Sequence, residues 1–175
     1  GAVPRIFEKV HGRITEMMAK EGGLKKTMFD WAVGVGVQVS RVRQAGHNVS
    51  PVLSAQYKLA DKLVLSKIRD RFGGRLRFFI SGSAALDREI AQWFDAIGVV
   101  VLEGYGLTET SAASSLNRPS AYRFGTVGWT LPQTEVKRAE DGEIMLKGPG
   151  IRDGYHNRPE ATAEAIESDG WFHTG

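Results

Sequence analysis

The sequence predicts an α/β fold: a parallel βαβ layer carrying packed helices, followed by a run of short β segments. Three observations predict it. Apolar residues recur at helical spacing through the first 72 positions, and two strand-like stretches, at 76–80 and the apolar run 99–102, flank a single helical stretch. From Gly125 onward the text shortens into β segments around the turn signal Asp141-Gly142.

Pro4 suits the first turn of a helix, and Phe7, Val10, Ile14 and Met17 repeat at helical spacing until Gly22-Gly23 ends it. A second helix is predicted on Met28, Trp31, Val35, Val39 and Val42, stopping at Gly46. Gly34 and Gly36 weaken it locally and permit close packing. Trp31, on an apolar stripe, reads as core rather than as a ligand gate. His47 lies in the polar loop HNVSP with no assignable partner. A third helix is predicted over 53–72 on Leu53, Tyr57, Ala60, Val64 and Ile68, broken by Gly73-Gly74.

The run 76–80 reads as a strand, and Ser81, Gly82, Ser83, Ala84 and Ala85 open a turn of small residues that a flat ring can approach. Asp87 is a reasonable N-cap for a helix containing Ile90, Ala91 and Phe94, with Gly98 closing it. Strand, helix, strand in this order implies a parallel pair with a right-handed crossover, which brings both strand ends and their turns to one sheet edge. After Ser111 an irregular passage through Asn117, Arg118 and Pro119 is expected. Segments 135–137 and 143–147 then flank the Asp141-Gly142 turn, a short helix follows Arg158-Pro159-Glu160, and Trp171-Phe172 is extended.

Chemistry concentrates in residues 99–111, VVVLEGYGLTETS. The apolar start suits a strand covered on both faces. Gly104 and Gly106 flank Tyr105 and leave the backbone free to take unusual conformations or to admit a ligand. Tyr105 offers a flat face to a planar ring. Thr108 offers a hydroxyl to a phosphate oxygen, and Glu109 a hard carboxylate oxygen of the kind Mg²⁺ prefers. A nucleotide with its metal satisfies this set. So does a plain structural turn in which Tyr105 packs, Thr108 caps and Glu109 is a solvated helix-start charge.

Tyr105-Gly106-Leu107-Thr108-Glu109 resembles the Tyr-Gly-x-Thr-Glu signature of the adenylate-forming enzymes: acyl-CoA synthetases, peptide-synthetase adenylation domains and luciferases. Its neighbours agree. FFISGSAAL at 78–86 resembles the family's strand and small-residue turn beside the adenine, and GEIMLKGPGIRDGYHNRPEATAEAI at 142–166 its Gly-Glu to Gly-Tyr-x-x-x-Pro-Glu-x-Thr block. WFHTG at 171–175 is similar to the start of its Trp-Phe-x-Thr-Gly-Asp motif, ahead of the ribose-binding aspartate. VPRIFEKV and DKLVLSKIRDRFGGRLRFFISGSAAL resemble the long-chain fatty acyl-CoA synthetase branch, so the likeness covers essentially the whole chain.

The resemblance implies part of a large N-terminal domain, with 1–120 an α/β portion and 121–175 part of a distorted β-barrel. It implies two half-reactions on a fatty acid, ATP and coenzyme A: formation of acyl-AMP, then of the thioester. Glu109 would hold Mg²⁺ and Thr108 would bond phosphate. Tyr105 would stack on adenine, Gly82, Ser83, Ala84, Glu103 and Gly104 would line the base, and Gly106 would lie where the carboxylate enters. A fatty acyl-AMP ligase loading a carrier protein shares this skeleton, and a non-catalytic adenylate-binding domain would retain its shape. Beginning at Gly1 and closing inside a motif, the chain reads as a fragment. By itself it is expected to lack ligase activity, because the family's phosphate loop, ribose aspartate, hinge and lysine lie elsewhere.

Composition sets the outer bounds. The 175 residues are 42% hydrophobic and 25% charged, enough for one sizeable core. A net charge of +3, scattered in short pairs such as Lys25-Lys26, without an aromatic-interleaved basic block, argues against nucleic-acid binding. Zero cysteines exclude disulfides and thiolate metal sites and fit a reducing, cytoplasmic compartment. No apolar run approaches the roughly 20 residues of a bilayer span, which leaves peripheral membrane association open. Fatty acid chain length, acceptor and oligomeric state have no signature here.

Overall fold

In the computed structural model, which describes residues 1–175, helices α1 (Pro4–Glu21) and α2 (Gly23–Gln44) meet at Gly22, whose φ of 61° lets one helix end and the next begin without a loop. Pro4 starts α1 as expected, and Phe7 anchors it in the core at 1% exposure.

The buried face of α2 is Phe29, Ala32, Val35, Gly36, Val39 and Ser40, which keeps Val35 and Val39 of the expected stripe but turns away from Met28, Trp31 and Val42. Trp31 is therefore 39% exposed rather than core. Small residues decide this. A Cβ at Gly36 would sit 2.3 Å from the Ala96 carbonyl oxygen, so the helix turns its Ala32–Gly36 side toward that neighbour. Gly34 faces open space, so close packing is the role of Gly36 alone.

The third helix runs without a gap from Pro51 to Asp70, close to the expected span, but widens midway. Helix α3 (Pro51–Ala60), capped by Ser50 accepting from the Leu53 N–H, passes through a π-turn at Asp61–Leu65 into α4 (Ser66–Asp70). The wider turn shifts the phase of the apolar stripe, so Leu65 joins Ala60 and Ile68 in the core. Asp61 and Arg69, eight positions apart, meet at 2.5 Å, and Arg69 also donates to the Ile97 carbonyl at 2.9 Å.

Strand β1 (Phe78–Ser81), helix α5 (Arg88–Ala96) and strand β2 (Val100–Tyr105) form the expected parallel βαβ unit. Asp87 caps α5, accepting the Glu89 and Ile90 N–H groups at 2.7 and 3.1 Å. Phe7, Phe79 and Phe94 pack edge to face at 5.4–6.4 Å, with Phe94 fully buried. β1 and β2 run in register from Phe78 opposite Val100 to Ser81 opposite Glu103, so the carboxyl end of β1 lies level with Glu103.

The chain divides into two units: Gly1–Glu103 with Arg118–Thr126, and Gly104–Asn117 with Val127–Gly175. Within the first, Gln44 holds the returning segment by donating to the Tyr122 carbonyl at 3.3 Å and accepting from the Phe124 N–H at 3.2 Å. The Tyr122 hydroxyl donates to buried Asp95 at 2.8 Å, and burial beside that carboxylate pushes its pKa up.

In the second unit the passage after Ser111 is ordered by pairing that its sequence does not advertise. β3 (Ser115–Leu116) lies antiparallel to Gly104-Tyr105 and to β4 (Trp129–Thr130). Strands β5 (Glu135–Arg138), β6 (Ile144–Lys147) and β7 (Phe172–His173) then form an antiparallel sheet, with β5 and β6 joined through the expected turn, Gly142 at φ 99°. Three strands make an open sheet, not a closed barrel. Helix α6 (Pro159–Ala165) precedes β7. Lys137 sits 4.3 Å above the Trp171 ring.

Candidate active site

In the first unit, Gly82, Ser83 and Ala84 leave β1 as a turn whose Ser83 and Ala84 are solvent-exposed, with Ser83 at φ 71°. Glu103 closes that turn from beneath. Its buried carboxylate accepts the Leu86 N–H at 3.1 Å through Oε1 and the Gly125 N–H at 3.3 Å through Oε2. A side chain expected to line a base thus spends its carboxylate on two main-chain donors, which satisfies a buried charge and fixes the turn's far end.

In the second unit, Gly104 and Tyr105 leave β2 paired with Leu116 and Ser115. Close approach of backbone is indeed why the glycines are there, but the backbone is the chain's own. A Cβ at Gly104 would lie 2.8 Å from Leu116 Cδ1, and one at Gly106 only 1.8 Å from the Ala112 carbonyl oxygen. Left-handed conformation falls instead on Ser111 (φ 55°) and Ala112 (φ 91°). They turn the chain back so that Ser114 N–H reaches the Tyr105 carbonyl at 2.8 Å.

The tip is a 3₁₀ turn, Thr108–Thr110. Thr110, to which the motif assigns no role, is its internal fastener: buried, it accepts the Leu107 N–H at 2.9 Å and donates to the Leu107 carbonyl at 3.1 Å. Its only signal in the sequence is a hydroxyl three residues after Leu107. With Thr110 fastening the turn, Thr108 is left exposed, its hydroxyl outside the turn's hydrogen bonds.

Glu109 is half-buried, and the segment around Gly150 to Tyr155 closes on it. The Tyr155 hydroxyl donates to Glu109 Oε1 at 3.1 Å, Arg152 Nη2 stands 3.6 Å from the same oxygen, and the Arg152 N–H donates to the Glu109 carbonyl at 3.0 Å. The Ser111 hydroxyl donates to the Gly150 carbonyl at 2.8 Å. Two sequence blocks more than 40 positions apart therefore share one carboxylate.

Glu143, the glutamate of the Gly-Glu match, has a contact role that the sequence does not state. Its Oε2 meets His173 Nδ1 at 2.7 Å and its Oε1 accepts the Gly175 N–H at 2.8 Å, so one side chain braces the WFHTG segment. The hydrogen bond from His173 holds Glu143 below the usual carboxylate range, and the same contact raises His173 above its ordinary value.

Comparison with known proteins decides what these turns belong to. The family described as AMP-binding enzyme matches residues 1–156. The chain belongs to this family. Among AMP-binding relatives, a protein of Mycobacterium tuberculosis named as fatty-acid–CoA ligase FadD11 is 42% identical over 177 residues, covering all of this chain and 31% of that protein. Long-chain-fatty-acid–CoA ligase FadD15 of Mycobacterium bovis is 34% identical, covering 99% and 28%. A malonyl-CoA ligase solved as a ternary product complex with methylmalonyl-CoA and AMP is 41% identical, covers 57% of this chain and 24% of that one, and superposes with a TM-score of 0.50. The chain thus spans about a third of the length of the relatives it matches.

For an AMP-binding site the donor set around Glu109 is chemically apt. No cluster of three or more His, Asp or Glu side chains exists to hold an ion alone. One carboxylate beside an exposed hydroxyl suits Mg²⁺, which takes one or two carboxylates and fills its octahedron with water and substrate phosphates. No helix is long and apolar enough to cross a membrane.

Proposed function

We propose that this chain is part of an ATP-dependent long-chain fatty acid–CoA ligase. A fatty acid carboxylate attacks the α-phosphorus of ATP, giving acyl-AMP and releasing pyrophosphate. The coenzyme A thiol then loses its proton, attacks the acyl carbonyl and displaces AMP. Both steps bring an anion toward phosphate oxygens, so the site must supply positive charge and positioned donors. Bound Mg²⁺ supplies that neutralisation at the phosphates.

The chain's own residues divide the remaining work. Glu109 offers the metal its carboxylate and Thr108 its hydroxyl to a phosphate oxygen. Tyr105 stacks on adenine, while the turn of Gly82, Ser83 and Ala84, with the backbone at Glu103 and Gly104, lines the base. Gly106 marks the entry of the substrate carboxylate. Residues 1–120 serve as the α/β portion and 121–175 as part of a barrel-like subdomain. The absence of cysteine supports placing the protein in the cytoplasm, with peripheral attachment to membranes compatible with its lipid substrate.

The observation that carries this reading is Glu109 held half-buried by Tyr155. A solvated helix-start charge needs no such hold, whereas a metal ligand must be aimed. The experiment is product analysis of the intact protein with palmitate, ATP and coenzyme A. Palmitoyl-CoA with AMP and pyrophosphate is expected; ADP as the nucleotide product, or no thioester, would overturn the assignment.

A further inference from the structure

We propose that Arg152 is a positioning residue for Glu109: its guanidinium occupies the place of the metal's charge on that carboxylate until a divalent cation displaces it. The proposal rests on reading Glu109 as a metal ligand. It gives a role to a residue that lies inside the 142–166 block but that neither that reading nor the motif's named positions use.

Arg152 is held at Glu109 by everything except the contact that would have to break. Its N–H donates to the Glu109 carbonyl at 3.0 Å, which ties the two main chains together. Its guanidinium lies against the Tyr155 ring, 3.8 Å from the ring centre, and the hydroxyl of that tyrosine donates to Glu109 Oε1 at 3.1 Å. Arg152 and Tyr155 therefore form one stacked unit with two reaches onto one carboxylate.

The charged contact itself is loose. Arg152 Nη2 stands 3.6 Å from Glu109 Oε1, too long for a good hydrogen bond, and the pair is single rather than forked. The side chains are 31% and 24% exposed, so water and a cation can reach them. Arg152 Nε is buried with no partner, so the guanidinium is not locked from its other side. A short, two-pronged arginine pair would close the carboxylate to metal. This geometry keeps it aimed, then yields.

A divalent cation arriving at Glu109 must therefore displace a positive charge from it. A neutral residue at 152 should tighten metal binding, whereas an Arg152 that merely supported the fold would weaken binding when replaced. The test titrates the full-length protein with Mn²⁺ alone, monitored by water-proton relaxation. Arg152→Met should lower the apparent Kd roughly fivefold, the scale of a part-exposed ion pair. Arg152→Lys, which keeps the charge, should stay near the unsubstituted protein. Arg152→Gln, judged alongside by its melting temperature, gives the same readout should the methionine variant fold poorly.

Glu109→Gln separates the two readings. Weakened Mn²⁺ binding in that variant is expected; binding unchanged by it would sink the metal assignment itself. If Glu109→Gln weakens binding while the neutral variants at 152 leave it unchanged or weaker, the metal assignment stands and the Arg152 proposal is wrong.

Discussion

Glu103 and Leu86 are joined by a hydrogen bond of 3.1 Å that fastens the end of β2 to the far side of the turn after β1. The other carboxylate oxygen takes the Gly125 N–H at 3.3 Å, so one buried charge holds two loops. Glu103→Gln keeps one acceptor oxygen but turns an NH₂ donor toward a main-chain donor. A buried N–H left unmatched costs about 1–3 kcal/mol. Amide exchange at whichever of Leu86 and Gly125 faces the new NH₂ should accelerate by roughly one to two orders of magnitude while α1 amides stay protected. Unchanged exchange at both positions would show that the carboxylate is not the fastener.

Gly34 and Gly36, two positions apart on α2, should respond to alanine with opposite signs. At Gly36 the new methyl would meet the Ala96 carbonyl at 2.3 Å, an overpacking that costs about 1–3 kcal/mol. At Gly34 the methyl meets open space, and removing a mid-helix glycine gains about 0.5–1 kcal/mol. Paired denaturation curves check this, and a common sign would contradict the packing of α2.

Gly106→Ala places a carbon 1.8 Å from the Ala112 carbonyl oxygen, and that neighbour is backbone and cannot swing aside. The turn carrying Thr108 and Glu109 should be displaced. Adenylate formation should be lost in this variant even though no reactive group has been removed, which ATP–pyrophosphate exchange would reveal. Retained exchange would mean the turn tolerates refolding.

His173 and Glu143 give the β5–β7 sheet a pH dependence whose sign is fixed by the two shifts. Glu143 is held below 4.5, so its contribution is present above that value and lost as pH falls through its lowered pKa. His173 is raised above 6.5, so its contribution is complete below 6.5 and lost as pH rises through its raised pKa. The pairing is strongest between those limits. NMR titration should place the His173 midpoint above 6.5, and Glu143→Gln should bring it down; a midpoint at or below 6.5 in the unsubstituted protein would contradict the contact.

Local signals are enough for much of the architecture. Pro4, Asp87, Gly98 and the Asp141-Gly142 turn each announce a boundary by their own chemistry, and the βαβ unit is implied by the two strand-like stretches. What stays hidden depends on partners distant in sequence. Trp31 is exposed against expectation because the face of α2 is chosen by the fit of Gly36 against Ala96, not by the largest residue. The π-turn at Asp61–Leu65 within the third helix has no glycine or proline to betray it. Likewise Tyr105 to Glu109 is legible as a motif, and so are Glu143 and Tyr155 within the 142–166 block, but the contacts of Arg152 and Tyr155 with Glu109 and of Glu143 with His173 show only once the fold brings them together.

The most direct test of the nucleotide assignment is ATP–pyrophosphate exchange by the full-length protein carrying Glu109→Ala, with palmitate as the acid. If Glu109 holds the metal as proposed, its loss should reduce exchange by about two orders of magnitude or more, the scale of one removed electrostatic stabiliser. Exchange near that of the unsubstituted protein would show that Glu109 does not serve the phosphates, and the account of this turn would fail.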